Sequence, residues 1–330
     1  MAAHPQRRST LSGGLLRVVP ATVLVVAGVL LPIGAPQAQQ PAFRTGADIV
    51  PLYVTVDDSR GRAVTDLTAS DFQLFEDGRE RPIASFSRDP QPFSAVLLLD
   101  RSGSMAAHRK TIGEAAGHFV SRLLPDDQVR IGGFSNEIVL APAAFTSDQA
   151  RLRDVLQSEI TRIGGGASPV WAAMSRSLDA LEGSALRRVI VLLSDGHDAP
   201  ASQMPGQARP RAYHFGDVRE RVRDAAVTVY AMGFLTRQMG RSAYDGVTVY
   251  PPSPLLEQLS RVSGGSYAEV GLTTDFAASF AAIADELHNQ YLLGLSVDAR
   301  DGKRHRIEVR VRRNGVKVRA RQSYVARPAP

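Results

Sequence analysis

Two stretches of this chain, Val96-Leu97-Leu98-Leu99-Asp100 and Val189-Ile190-Val191-Leu192-Leu193-Ser194-Asp195, are apolar without alternation and then reach a carboxylate. A strand with one face in water alternates apolar and polar residues, so runs like these belong to a sheet covered on both sides. That requirement points to an α/β fold with a doubly wound, mainly parallel sheet and helices on either face. In such sheets ligands bind outside the carboxyl ends of the strands. Directly after Asp100 the turn carries Ser102, Gly103 and Ser104. Asp100, Ser102 and Ser104 can therefore aim oxygens at one small volume, which suits a hard cation such as Mg²⁺. A further hydroxyl, Ser168, follows Gly164-Gly165-Gly166-Ala167 and precedes a helical run. The competing reading is that Asp100 and Ser102 only cap the next helix.

Asp100-Arg101-Ser102-Gly103-Ser104, with Ser168 and Asp195 in that order behind it, resembles the von Willebrand factor type A family, and in particular a bacterial secreted group related to it. The resemblance implies a metal-ion-dependent adhesion site holding Mg²⁺ or Mn²⁺. Ser102, Ser104 and Ser168 would touch the ion, and Asp100 and Asp195 would hold it through water. Ser168 stands where the family usually has threonine; the hydroxyl is kept, and the methyl that restricts its rotamers is lost. The implied partner is a protein presenting an acidic side chain to the open coordination position.

The apolar run from Val18 to Ile33, preceded by Arg7, Arg8 and Arg17 and followed by Ala35-Pro36-Gln37-Ala38, has the layout of a secretory signal peptide. Residues 1–38 are thus expected to direct the protein to the periplasm or the exterior. There is no cysteine, so disulfides and thiolate metal sites are excluded. The formal net charge is +6. Residues 300–330 alone hold eleven Lys/Arg against Asp301 and Glu308, so the basicity belongs to one end and no nucleic acid is expected as partner.

Residues 41–90 and 291–327 alternate apolar and polar, with turn signals at Asp77-Gly78 and Asn314-Gly315, and each is too short to bury a face alone. They are expected to fold together as one β module around an α/β domain over 91–290. In the first segment, Phe72-Gln73-Leu74-Phe75-Glu76 is expected to pair with a return strand at Ile83-Ala84-Ser85-Phe86. A two-residue Asn314-Gly315 loop would set Arg312 opposite Lys317, Arg310 opposite Arg319 and Glu308 opposite Arg321. Arg310, Arg312, Lys317 and Arg319 would then form one basic face. Its plainer reading is a solvated face that discourages edge pairing; the sharper one is a contact with an anionic surface of the envelope.

The function expected is a secreted, metal-dependent protein-binding module of the adhesion type. A structural envelope scaffold with a vestigial metal site is the alternative, and a hydrolase ranks behind it. Catalysis is not expected. An aspartyl-phosphate enzyme needs an acid where Ser102 stands, no Gly-x-Ser-x-Gly elbow frames Ser102 or Ser104, and no phosphate-binding Gly-x-x-x-x-Gly-Lys-Ser/Thr occurs. His197 and His214 on the long loop from 197 to 215 read as solvated histidines rather than ligands of a softer metal.

Overall fold

The structure, a computed structural model, describes residues 49–162, 164–199, 213–239, 247–271, 275–297 and 300–326. The expected leader and the middle of the 197–215 loop lie outside the described residues. Strands β1 (Ile49–Asp58), β2 (Phe72–Glu76), β3 (Arg79–Arg81) and β4 (Ile83–Ser87) come first. Then follow β5 (Phe93–Asp100), α1 (Arg109–Ser121), β6 (Gln128–Phe134), β7 (Ile138–Thr146), α2 (Gln149–Thr161), α3 (Val170–Leu181) and β8 (Arg187–Ser194). The middle closes with α4 (Phe215–Asp224), β9 (Thr228–Phe234), β10 (Thr236–Met239), β11 (Val247–Tyr250), α5 (Pro254–Ser263), β12 (Tyr267–Val270) and α6 (Phe276–His288). The chain ends in β13 (Tyr291–Ser296), β14 (Arg304–Val311), β15 (Val316–Arg319) and β16 (Ser323–Val325).

All eight residues of β5 are buried, because it lies inside a six-stranded sheet ordered β12-β9-β8-β5-β6-β7. The pairs are parallel except β6 with β7. Side chains alternate across the sheet. Phe93, Ala95, Leu97 and Leu99 enter a core with Ile112 and Phe119 of α1, Leu152 and Leu156 of α2, and Phe280 and Leu287 of α6. Val96 and Leu98 enter the other, with Met174 and Leu178 of α3, Val222 of α4 and Leu259 of α5. Burying each such side chain is worth about 1.5–3 kcal/mol. From β5 the chain builds to one side through β6 and β7, then crosses to β8 on the other. The carboxyl end of β5 is therefore the switch point where loops part and a ligand can enter. Among the described residues no helix is long and apolar enough to cross a membrane.

The remaining strands form two antiparallel sheets, β15-β1-β13-β4 and β16-β14-β2-β3. Leu52, Val54, Phe72, Leu74, Leu293, Leu295, Ile307 and Tyr324 fill the space between them. The Tyr291 hydroxyl accepts from Leu67 N at 3.0 Å and donates to the Val64 carbonyl at 2.8 Å, so its polar tip is satisfied within that core.

Several local expectations are corrected. Asp77 and Gly78 do turn, with φ of +48° and +80°. The return strand is Arg79–Arg81, however, and Ile83–Ser87 crosses into the other sheet to pair with β13. Likewise β14 and β15 leave the Asn314-Gly315 turn for different sheets. Arg310 lies opposite Gln73 and Glu308 opposite Phe75; Lys317 lies opposite Asp57 and Arg319 opposite Thr55. A bare hairpin would leave both outer edges unpaired, whereas parting gives each strand a ladder and lets Val309, Val311, Val316 and Val318 pack on one core. The basic face of Arg310, Arg312, Lys317 and Arg319 consequently does not assemble. Arg310 lies over the Phe75 ring at 4.3 Å and pairs with Glu308 at 2.6 Å. Arg312, just past the end of β14, and Lys317, on the edge strand β15, are both exposed. Arg319 turns inward to Glu286 and Asp57, 2.9 Å from each. The β10–β11 hairpin, which packs beside the turn after β5, has no signal in the sequence.

Candidate metal centre

Asp100 ends β5 and is 2% exposed. Its Oδ1 accepts from the Ser102 amide at 2.8 Å, and this folds the chain sharply back over the strand end. Its Oδ2 accepts from two hydroxyls, Ser168 at 3.0 Å and Ser194 at 2.6 Å. Ser102 opens a 3₁₀ turn, Gly103–His108, but its side chain makes no capping bond. Instead Ser102 Oγ lies 3.1 Å from Ser104 Oγ, and Ser104 donates to Asp195 Oδ2 at 2.7 Å. The capping reading of Ser102 is thereby set aside. Met105, fully buried, pins this turn to the core below.

Ser168 is fixed by its own backbone, which exchanges two bonds with Ala199, 2.7 and 2.8 Å long. Asp195 Oδ1 accepts from the His197 amide at 3.0 Å. The structure thus brings Asp100, Ser102, Ser104, Ser168 and Asp195 into one hydrogen-bonded cluster. It opens on a cavity of about 320 Å³ that is also walled by His197, Thr236 and Tyr250. Burial pushes the Asp100 carboxyl up to about 6, and the charge of Asp195 adds to the rise, while bonds from Ser102 and Ser194 oppose it.

Two groups of the site went unread in the sequence. Ser194, one residue before the expected aspartate, shares Asp100 Oδ2 with Ser168. Arg101, the variable position between Asp100 and Ser102, is 5% exposed and pairs at 3.3 Å with Glu159 of α2, itself 4% exposed. This pair occupies the space above Gly133, where a Cβ would lie 2.1 Å from Glu159 Oε2. The glycine-rich loop has the same cause: a Cβ on Gly164 would lie 1.7 Å from the Arg101 carbonyl oxygen. Gly165 is packed as tightly on Asn136, whose Oδ1 accepts from Ala167 N at 3.3 Å. Signals for these contacts exist only in three dimensions.

Among the described residues no group of three or more His, Cys, Asp or Glu side chains is arranged so that it could hold a metal ion. His197 Nε2 lies 3.0 Å from the Pro251 carbonyl oxygen, and His214 stands just before α4 without a side-chain capping bond. The donor set at the strand ends is instead three serine hydroxyls and two carboxylates, all hard oxygens. That set fits Mg²⁺ or Mn²⁺ and offers nothing to a soft metal.

Residues 95–197, about a third of the chain, match the family model of the von Willebrand factor type A domain. No curated protein matches. Similar solved structures include an aerotolerance-related membrane protein of Bacteroides fragilis, at 15% identity over 59% of this chain and 98% of that one, TM-score 0.44. The von Willebrand domain of the type V pilus tip protein of Porphyromonas gingivalis shares 13% identity over 59% and 95%, TM-score 0.43. A von Willebrand factor type A protein of Catenulispora acidiphila shares 10% over 86% and 75%, TM-score 0.46. The chain carries a von Willebrand factor type A domain, and the span that matches contains all five of the converging residues.

Proposed function

We propose that this protein is an exported, metal-dependent protein-binding module that captures an acidic side chain of a partner. One observation carries the reading: hydroxyls from two separate loops and the Asp195 carboxylate line a cavity open at the switch point of the sheet, with the Asp100 carboxylate buried directly behind Ser168. Ser102, Ser104 and Ser168 would hold Mg²⁺ or Mn²⁺, with Asp100 and Asp195 behind them. When bound, the ion supplies a Lewis-acidic position for a carboxylate oxygen. Asp100 orients the Ser102 amide and the Ser168 hydroxyl, and Asp195 orients Ser104. A set poor in direct carboxylate ligands leaves the ion most of its charge, which favours an anionic ligand over water. No side chain is assigned a catalytic role, and export rests on the leader read in residues 1–38.

Calorimetry with Mg²⁺ and Mn²⁺, followed by capture of envelope proteins with and without EDTA, tests the proposal. The expected result is heat of binding at millimolar metal and EDTA-sensitive capture, both lost in Ser104→Ala. A scaffold with a vestigial site would leave capture unchanged by EDTA and by the substitution.

A further inference from the structure

A cavity of about 290 Å³ lies at the other end of the parallel sheet, where the start of β8 meets β1, the α4–β9 turn and β16. Arg187, Arg188, Arg223 and Arg321 line it against one carboxylate, Asp224. That carboxylate already accepts from Arg304 at 2.7 Å, and Arg223 is held by Glu220 at 2.9 Å. Arg187 donates to the Leu287 carbonyl and the Tyr230 hydroxyl and covers the Tyr53 ring at 4.4 Å. Arg321 is placed differently. Its Nε donates to the Ser323 carbonyl at 2.7 Å and its Nη2 reaches the Arg223 carbonyl at 3.5 Å, both neutral acceptors. Burial, joined by the like charge of Arg188 and opposed by the charge of Asp224, pulls its guanidinium down to about 10. Arg321 also lines a neighbouring recess of about 590 Å³ that adds Arg304 and Arg306.

A half-buried guanidinium whose hydrogen bonds go to neutral carbonyls, with no carboxylate in contact, is costly, and its planar fork matches the oxygens of phosphate or carboxylate. We infer that this recess binds a small oxyanion of the phosphate class, held by Arg321 with Arg188 and Arg223. The anion would enter free or as a phosphate headgroup of a lipid, and the chemistry of recognition is the same.

The test is thermal unfolding of the full chain in EDTA, which separates it from the metal proposal, in 10 mM phosphate against chloride at equal ionic strength. Phosphate should raise the wild-type midpoint by about 2–4 °C. Arg321→Gln should lose that shift, and in chloride it should unfold at the wild-type temperature or above, because the unpaired charge is gone. Arg188→Gln, a second variant should the first misfold, should show a reduced shift. Co-sedimentation with phosphatidylglycerol vesicles distinguishes the sources. A phosphate shift without retention assigns the free anion, and retention lost in Arg321→Gln without a phosphate shift assigns the headgroup. Neither response in the wild type, or a response that survives in Arg321→Gln, overturns the inference.

Discussion

The two ends of the parallel sheet both bury polar groups, and they do so by opposite means. Around Glu286 of α6, at the amino end, the charges are matched. Glu286 accepts from Arg319, from Thr55 Oγ1 at 3.0 Å and from Tyr230 OH at 3.0 Å, and Asp57 takes the other side of Arg319. Asp127 Oδ2, fully buried, lies 2.8 Å from His288 Nε2 and accepts from the Leu124 amide at 2.7 Å. At the carboxyl end no cation among the described residues bonds to Asp100 or Asp195, and both accept from hydroxyls and backbone amides beside a cavity. A network closed by its own ion pairs locks the sandwich onto the α/β layers. One closed only by serines keeps its negative charge available to something from outside.

The comparison breaks first at Glu286. Glu286→Ala should leave Arg319 with Asp57 alone and take the acceptor from Thr55 and Tyr230, costing about 1.5–3 kcal/mol in urea unfolding, the range for hydrogen bonds to a charged group. A loss under about 1 kcal/mol would mean that the amino end does not lock the layers. The next test is Asp100→Ala. It should weaken Mg²⁺ at least tenfold, or about 1.4 kcal/mol, in calorimetry, and change unfolding in EDTA by less than Glu286→Ala does. Equal destabilisation by both would erase the contrast between the ends. Ser168 sharpens it further. Ser168→Thr should bind Mg²⁺ at least as well as the wild type, since the added methyl restricts the rotamer, while Ser168→Ala should lose affinity with little change in stability.

The smallest effect lies in the sandwich, on β14. His305 bridges Asp77 at 2.7 Å and Asp301 at 3.2 Å. The bond to Asp77 leads in holding the imidazole above its ordinary value, against the cost of burial. The folded protein therefore binds this proton more tightly than the unfolded chain. The stabilisation is complete below about pH 6.5 and is lost as pH rises through the folded value. Urea midpoints followed from pH 6 to 9 should fall more steeply in the wild type than in His305→Gln; parallel curves would remove His305 from the account.

Much of the α/β layer was legible because its signals are local. An apolar run such as Val96–Leu99 has no stable place except between two helical layers, and the hydroxyls after Asp100 follow its strand by necessity. What failed to show was partnership. The valines of β14 and β15 alternate as a hairpin would, yet alternation says which face is buried and nothing about which strand lies alongside. Arg319 consequently read as part of an exposed basic face, although Glu286 of α6 draws it inward. Arg101 and Glu159 are separated by more than fifty residues, and only the folded α2 brings them together over Gly133. Ser194 was passed over for its neighbour Asp195, since one residue along a strand reverses the face.

The sandwich also sets a timetable. β1 ends at Asp58 and its partner β13 begins at Tyr291, so on a ribosome making 5–20 residues per second the first strands wait about 12–46 s for their mates. During that interval the α/β layers can finish folding, while Leu52, Val54 and Leu74 stay uncovered. Any factor that shields nascent apolar strands should bind this chain through its first forty described residues and let go only after its last strands emerge.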